Sequence, residues 1–180
     1  VRWREAGRPP RDVAVNISAL QFRRRDFVAT VARVLGETGA DPARIELEIT
    51  ESALMDATPE LVASFDQLVA LGLTLALDDF GTGYSSLSYL KRLPLRRLKI
   101  DRSFVDGLPD NPEDVAITSA TLSLARDLGM EVVAEGVETE EQRGYLRKRG
   151  CRAMQGYLFS RPLGVEEFRT WFEERAAAIA

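Results

Sequence analysis

The chain has 180 residues, 45% of them hydrophobic, which suffices for one domain with one sizeable core. Its 28 acidic and 24 basic residues leave a net charge of −4, and the basic ones are scattered apart from Arg23-Arg24-Arg25 and Arg96-Arg97, so a nucleic-acid polymer is not expected as a partner. With no His and with Cys151 alone, zinc constellations and a disulfide framework are excluded; the apolar runs are too short for a membrane span and Val1-Arg2-Trp3 does not open a signal peptide, so a cytoplasmic chain without direct membrane contact is expected.

Short β-branched or leucine-rich runs alternate with helical patterns. Val13–Ser18 reads as a strand, followed by a helix over 26–38 with Phe27, Val28, Val31, Val34 and Leu35 on one face and Gly39 as its stop. Ile45–Thr50 is the second strand. Thr58-Pro59-Glu60 then supplies an N-cap and a first-turn proline for a helix ending before Gly72, with Leu61, Val62, Phe65, Leu68 and Val69 inward. A strand over 73–78, a short helix over 85–92 ending before Pro94 and a strand over 98–101 form a shorter unit. Asn111-Pro112-Glu113 caps a helix to about Leu128, and Glu131–Glu135 is the fifth strand. Thr139 with Gln142 makes a capping box for a helix ending at Gly150; a sixth strand over 153–159 and a final helix from Val165 to about Ala177, faced by Phe168, Trp171 and Phe172, complete the series.

Consecutive strand-then-helix units imply right-handed crossovers and a parallel α/β sheet. Polar residues sit within or at the end of each strand: Asn16, Glu48, Asp78, Lys99, Glu135 and Gln155. A (β/α) barrel gathers its site from the carboxyl ends of many strands, whereas an open sheet concentrates it at a switch point, so the distribution favours a TIM-like barrel. About six of its eight βα units are present, so the barrel is expected to be incomplete.

Asp78-Asp79 closes an apolar strand and opens into Phe80-Gly81-Thr82-Gly83. Two adjacent carboxylates at the mouth of a buried strand are costly to place without a cation or substrate. Taken singly, Asn16 and Gln155 suit loop anchoring as well as a site, Glu138 suits the dipole of the following helix, and Lys99 suits a snorkelling strand end. Together, Asn16, Glu48 and Asp78, with Asp79 and Glu135 nearby, offer the hard oxygen donors that Mg²⁺ or Mn²⁺ prefers. A carboxylate bridging two ions about 3.5–4 Å apart holds a water for in-line attack on a phosphodiester. Asp78 is the bridging candidate, Lys99 steadies charge or orients the water, and the backbone amides of Gly81, Thr82 and Gly83 position substrate.

The chain resembles the EAL domain family, bacterial phosphodiesterases that linearise the second messenger cyclic di-GMP to pGpG. The matching phrases are Val15-Asn16-Ile17-Ser18, Glu48-Ile49-Thr50-Glu51-Ser52, Asp78 through Leu87, Leu98-Lys99-Ile100-Asp101, Glu135-Gly136-Val137-Glu138-Thr139 and Gln155 through Pro162, from about Val13 to Leu163. The resemblance implies that Asn16, Glu48 and Asp78 ligate one metal and Asp78, Asp79 and Glu135 a second. It implies catalytic roles for Lys99, Glu135 and Asp79, contact of Lys99 and Gln155 with the attacking water or its neighbours, anchoring of the Phe80–Ser86 loop by Glu51, and a place for Glu138 just outside the metal ligands. It also implies a homodimer. One departure stands out: nothing in Val1–Val15 matches the Glu-Ala-Leu signature, whose Glu is a ligand of the first metal. Residues 1–180 therefore read as a fragment of one EAL-type domain, expected to be weakly active or inactive alone, from a longer protein that could be membrane tethered. A noncatalytic cyclic di-GMP-binding or protein-interaction module is the alternative, and a metal-dependent barrel hydrolase of another phosphate ester is a third reading.

Overall fold

A computed structural model describes residues 12–54, 58–83 and 87–177. Six parallel strands form one sheet in the order of the chain: β1 (Val13–Ile17), β2 (Ile45–Thr50), β3 (Thr74–Phe80), β4 (Arg97–Ile100), β5 (Glu131–Ala134) and β6 (Ala153–Met154). Sequential order separates the two architectures left by the strand–helix repeat. An open doubly wound sheet reverses direction at a switch point, and here no reversal occurs. The sheet is a curled half-barrel of the TIM-like type. Among the described residues β1 pairs only with β2, and β6 only with β5.

The helices are α1 (Ala19–Phe22), α2 (Phe27–Thr38), α3 (Glu51–Leu54), α4 (Pro59–Ala70), α5 (Leu87–Arg92), α6 (Pro112–Asp127), α7 (Glu140–Lys148) and α8 (Val165–Ala177). Their starts follow the sequence punctuation. Thr58 accepts from Leu61 N–H, Asn111 from Glu113 N–H, and Thr139 with Gln142 completes a capping box. A second box, Ser18 with Gln21, opens α1, which periodicity alone does not reveal because the helix is one turn long.

Register fixes what each sheet face does. Pairing of Ala14 with Glu46, Asn16 with Glu48, Ala76 with Arg97, Lys99 with Val133 and Val133 with Ala153 puts the polar residues on one face. The other face carries Ile17, Leu47, Ile49, Leu75, Leu77, Leu98, Ile100 and Ala134, all buried. Phe22 packs on Phe65 at 4.6 Å between ring centroids and Phe27 at 5.7 Å, joining α1, α2 and α4 over this face. A second core part gathers Ile100, Val105, Leu122, Val137 and Leu146 beneath α6 and α7.

Two expectations need correction. The sixth strand stops at Met154, because the chain turns at Gly156 and Phe159 N–H bonds back to Gly156 O. A Cβ at Gly156 would collide with the backbone of Val137, so this turn packs against the segment after β5 and cannot continue the ladder. Val69, expected inward, is 39% exposed at the margin of the α4 stripe whose buried centre is Phe65 and Leu68, and Val34, on the apolar face of α2, is 43% exposed on a helix with no fully buried residue. No helix among the described residues is long and apolar enough to cross a membrane.

Candidate active site

The carboxyl ends of β2 to β5 converge on one ammonium group. Lys99 Nζ on β4 lies 2.8 Å from Glu48 Oε2 on β2, 3.0 Å from Asp78 Oδ1 on β3 and 2.8 Å from Glu135 Oε1 just beyond β5. Neighbouring strands stand about 4.8 Å apart, so β2 and β4 are separated by roughly twice that distance in a flat sheet. Side chains from both meet at Lys99 because the polar face is concave.

Asp78 and Asp79 are adjacent, and in a regular strand they would point to opposite faces. The register with β4 slips between Leu77 and Phe80, placing one extra residue in β3, and Asp79 has φ of 55°. Such a bulge re-aims side chains, here at the cost of left-handed backbone on a non-glycine residue. One carboxylate oxygen from each of Asp78, Asp79 and Glu135 thereby lies within 4.8 Å of the others. Asp78 Oδ1 also accepts from Asp79 N–H at 3.0 Å, which steadies the bulge.

Glu48, Asp78 and Lys99 are buried, and Asp79 and Glu135 half-buried. One lysine faces three carboxylates, leaving the cluster two negative charges in excess, and Asp79 makes it three. The titration behaviour follows from burial first and from this imbalance second. Burial raises Glu135 above the usual carboxylate range and the Asp78 and Glu48 charges add to it, while Lys99 opposes. Burial, then the charges of Asp78 and Asp101, raises Asp79. For Lys99, burial acts to lower the pKa, but its hydrogen bonds to Glu135, Glu48 and Asp78 outweigh burial and hold it above the ordinary lysine value.

The remaining candidates fall around this cluster. Asn16 is in register with Glu48 on the same sheet face and is exposed. Gln155, also exposed, continues the pairing beyond β6 through its backbone, donating to Ala134 O and accepting from Val137 N–H. The lysine-centred network includes neither side chain. Glu51, 4% exposed at the start of α3, accepts from Gly81 N–H at 2.9 Å through Oε2. Gly81 has φ of 97°, and a Cβ there would lie 2.9 Å from the Phe104 ring, so glycine is required at that point of the loop. Thr82 Oγ1 donates to Asp79 O at 2.9 Å, and Gly83 lies against the Glu51 carboxylate. Glu138 pairs with Arg102 at 3.0 Å while its own N–H donates to Gln142 Oε1.

Sequence reasoning missed a second charged layer one pleat below. Arg97 Nη1 bonds both oxygens of buried Glu46, at 2.9 and 2.8 Å, and Nη2 reaches Glu131 Oε2 at 2.6 Å. The two-residue spacing of Arg97 to Lys99 and of Glu46 to Glu48 was the available signal, since it puts both layers on one face.

Residues 1–162 match the EAL domain family. The chain is 46% identical over 166 residues to the bifunctional diguanylate cyclase/cyclic di-GMP phosphodiesterase MucR of Pseudomonas aeruginosa, covering 92% of this chain and 24% of MucR. It thus spans about a quarter of that relative's length. The structure of the MucR phosphodiesterase in complex with cyclic di-GMP superposes with a TM-score of 0.87 at 44% identity, covering 93% of this chain and 68% of that one. Klebsiella pneumoniae BlrP1, solved with manganese and cyclic di-GMP, gives 0.77 at 34% identity, over 84% of this chain and 39% of that one. The extent of the family match and the ordered series of strand-end acids, amide and lysine place this chain in the EAL domain family.

Proposed function

We propose that this chain belongs to a cyclic di-GMP phosphodiesterase that hydrolyses cyclic di-GMP to linear pGpG with two divalent ions, Mg²⁺ or Mn²⁺. The excess negative charge around Lys99 carries this reading. A structural ion-pair network tends toward balance because unpaired buried charge is costly. This cluster instead holds three carboxylates on one ammonium with a fourth alongside, all hard oxygen donors. Asp78, Asp79 and Glu135 would hold one ion, and Asn16, Glu48 and Asp78 the other. When bound, the ions supply charge neutralisation at the phosphodiester and acidity for the attacking water.

The chain's own residues then have distinct tasks. Lys99 keeps a fixed positive charge between Glu48, Asp78 and Glu135, where it opposes developing charge on the phosphate. Glu51 fixes the start of the Gly81–Gly83 loop and so the direction of Asp79. Gln155 lies at the site rim for contact with water or substrate, and Glu138, through Arg102, supports the segment that follows Glu135. The protein acts in the cytoplasm, and a homodimer is the proposed assembly because β1 and β6 each have one paired side among the described residues.

The test is metal-dependent conversion of cyclic di-GMP to pGpG by the natural full-length protein. Asp78→Asn should lower the rate on the order of 10³-fold or more, matching the several kcal/mol that metal ions contribute to stabilising transition-state charge. Turnover that survives both EDTA and Asp78→Asn would refute the proposal.

A further inference from the structure

At the opposite end of the strands a groove of about 920 Å³ opens between α6 and α7, beneath the first residues of β5 and β6. Its volume lies in the range of small-molecule sites. Its floor is apolar, built from Leu122, Met130 and Val132, and its rim carries Arg126, Lys148, Arg149 and Arg152. Four cations converge on this one opening, and their clustering distinguishes the groove, since Arg25, Arg147, Arg161 and Arg175 also have no carboxylate partner among the described residues. Arg24, Arg33, Arg44, Arg97, Arg102, Arg143 and Arg169 each have a carboxylate partner. None of the four rim cations has one among the described residues. The acid that lines the groove, Glu131, is already engaged by Arg97 at 2.6 Å and Arg96 at 3.4 Å. A local positive excess thus stands on a chain whose net charge is −4.

Arg149 is also held in place. Its guanidinium carbon lies 3.7 Å from the Tyr145 ring centroid, and its Nε donates to Ser119 Oγ at 3.1 Å. Ser119 in turn lies 3.2 Å from the Tyr145 hydroxyl. A guanidinium ordered by stacking and one neutral hydrogen bond keeps its charge free for an anion and loses little side-chain entropy on binding it. Arg126 and Lys148 lie in the last turns of their helices, where cations complement the helix dipole. That effect does not account for Arg152, beyond both helices, or for the anchoring of Arg149.

We propose that this groove is a binding site for a small organic phosphate of mononucleotide size, its phosphate on Arg149 and Arg152 and its apolar body on Leu122, Met130 and Val132. The site is independent of the carboxylate cluster and of the reaction proposed there. Guanidinium groups match phosphate geometry, and an apolar floor accepts a base or similar ring. Adenosine monophosphate, adenosine and inorganic phosphate, titrated into residues 1–180 in EDTA and followed by backbone amide NMR, test it. Saturable shifts centred on Ser119, Gly150 and Arg152 are expected with the monophosphate, with Kd in the millimolar range or tighter, and at least about tenfold weaker binding of the other two probes. Arg149→Gln with Arg152→Gln should weaken binding at least tenfold while the amide spectrum elsewhere stays unchanged, and Asp78→Asn should have no effect. Non-saturable shifts, shifts centred on Asp78, or indifference to the double substitution overturns the proposal. Equal binding of inorganic phosphate also overturns it, since the apolar floor would then take no part. Tighter binding of a Glu-rich peptide would reassign the groove to protein docking.

Discussion

Two charged layers share the concave face of one sheet, two residues apart on β2 and β4, and they are built on opposite principles. In the lower layer Arg97 bridges Glu46 and Glu131 while Arg96 also reaches Glu131, so two acids meet two guanidinium groups. In the upper layer Lys99 alone meets Glu48, Asp78 and Glu135, with Asp79 beside them. The lower layer is balanced in charge, and the upper one has a deficit of positive charge that no cation among the described residues fills. Burial by itself distinguishes the layers poorly, since Glu46 and Glu48 are 7% and 8% exposed. Charge balance distinguishes them well, and it is a criterion independent of any family resemblance.

Removing the cation from each layer probes the contrast most strongly. Lys99→Met leaves three carboxylates without their ammonium, and breaking a buried pair in this way costs about 3–5 kcal/mol. We expect that loss in urea unfolding of the metal-free chain, with much of it restored by saturating Mn²⁺, because a bound divalent ion stabilises the folded state in proportion to its affinity. Arg97→Met strands Glu46, whose side chain is 9% exposed, and should cost about 2–3 kcal/mol because Arg97 itself is partly solvated. Mn²⁺ should restore none of it. Equal rescue of both variants would remove the distinction between the layers.

Protons offer a milder probe. Asp79 and Glu135 both titrate above the ordinary carboxylate range, chiefly through burial. Each acid therefore binds its proton more tightly in the folded chain than in the unfolded one. Without metal, the stability linked to those protons is present below the unfolded carboxylate pKa and is lost as pH rises through the raised folded values. Metal binding has the opposite dependence, because protons compete for the same oxygens. Mn²⁺ affinity, measured by calorimetry at several pH values, should thus fall with decreasing pH while still above the usual carboxylate range. In the lower layer the two acids divide: burial raises Glu46 against the opposing charge of Arg97, whereas the hydrogen bond from Arg97 lowers Glu131, so only Glu131 keeps its charge to more acidic pH.

Much of this arrangement is legible in the amino-acid sequence, and what is not has identifiable physical causes. The alternation Glu46-Leu47-Glu48-Ile49 states which side chains share a face, and helix caps such as Thr58-Pro59 and Thr139 with Gln142 mark where strands must have ended. The run Tyr157-Leu158-Phe159 has strand composition, but its turn is set by tertiary contact between Gly156 and the Val137 backbone, which local pattern does not encode. The convergence of Asp78 with Asp79 depends on a bulge against β4, and a bulge is a property of two strands in register. Arg97 passed as an ordinary surface residue in an arginine pair, although its spacing from Lys99 already put it on the site's face.

The smallest expected effect concerns how the upper layer is held open. Asp79 takes left-handed backbone, and the residue pair that follows is tied down from outside the strand: Glu51 receives Gly81 N–H, and Gly81 lies against Phe104. Gly81→Ala places a Cβ 2.9 Å from the Phe104 ring at a φ of 97°. Strain of this kind costs about 1–3 kcal/mol, part of which the loop can relieve by shifting away from Glu51. Because Thr82 Oγ1 bonds Asp79 O, such a shift acts directly on the bulge. The expected result is a drop of about 1 kcal/mol in stability, with a larger proportional loss of Mn²⁺ affinity than of fold, since the proposed ligand set depends on Asp79 direction while the core clusters do not. The Arg97 layer is remote from this loop, so an unchanged response of Gly81→Ala protein to Arg97→Met would place the loop's influence on the upper layer alone.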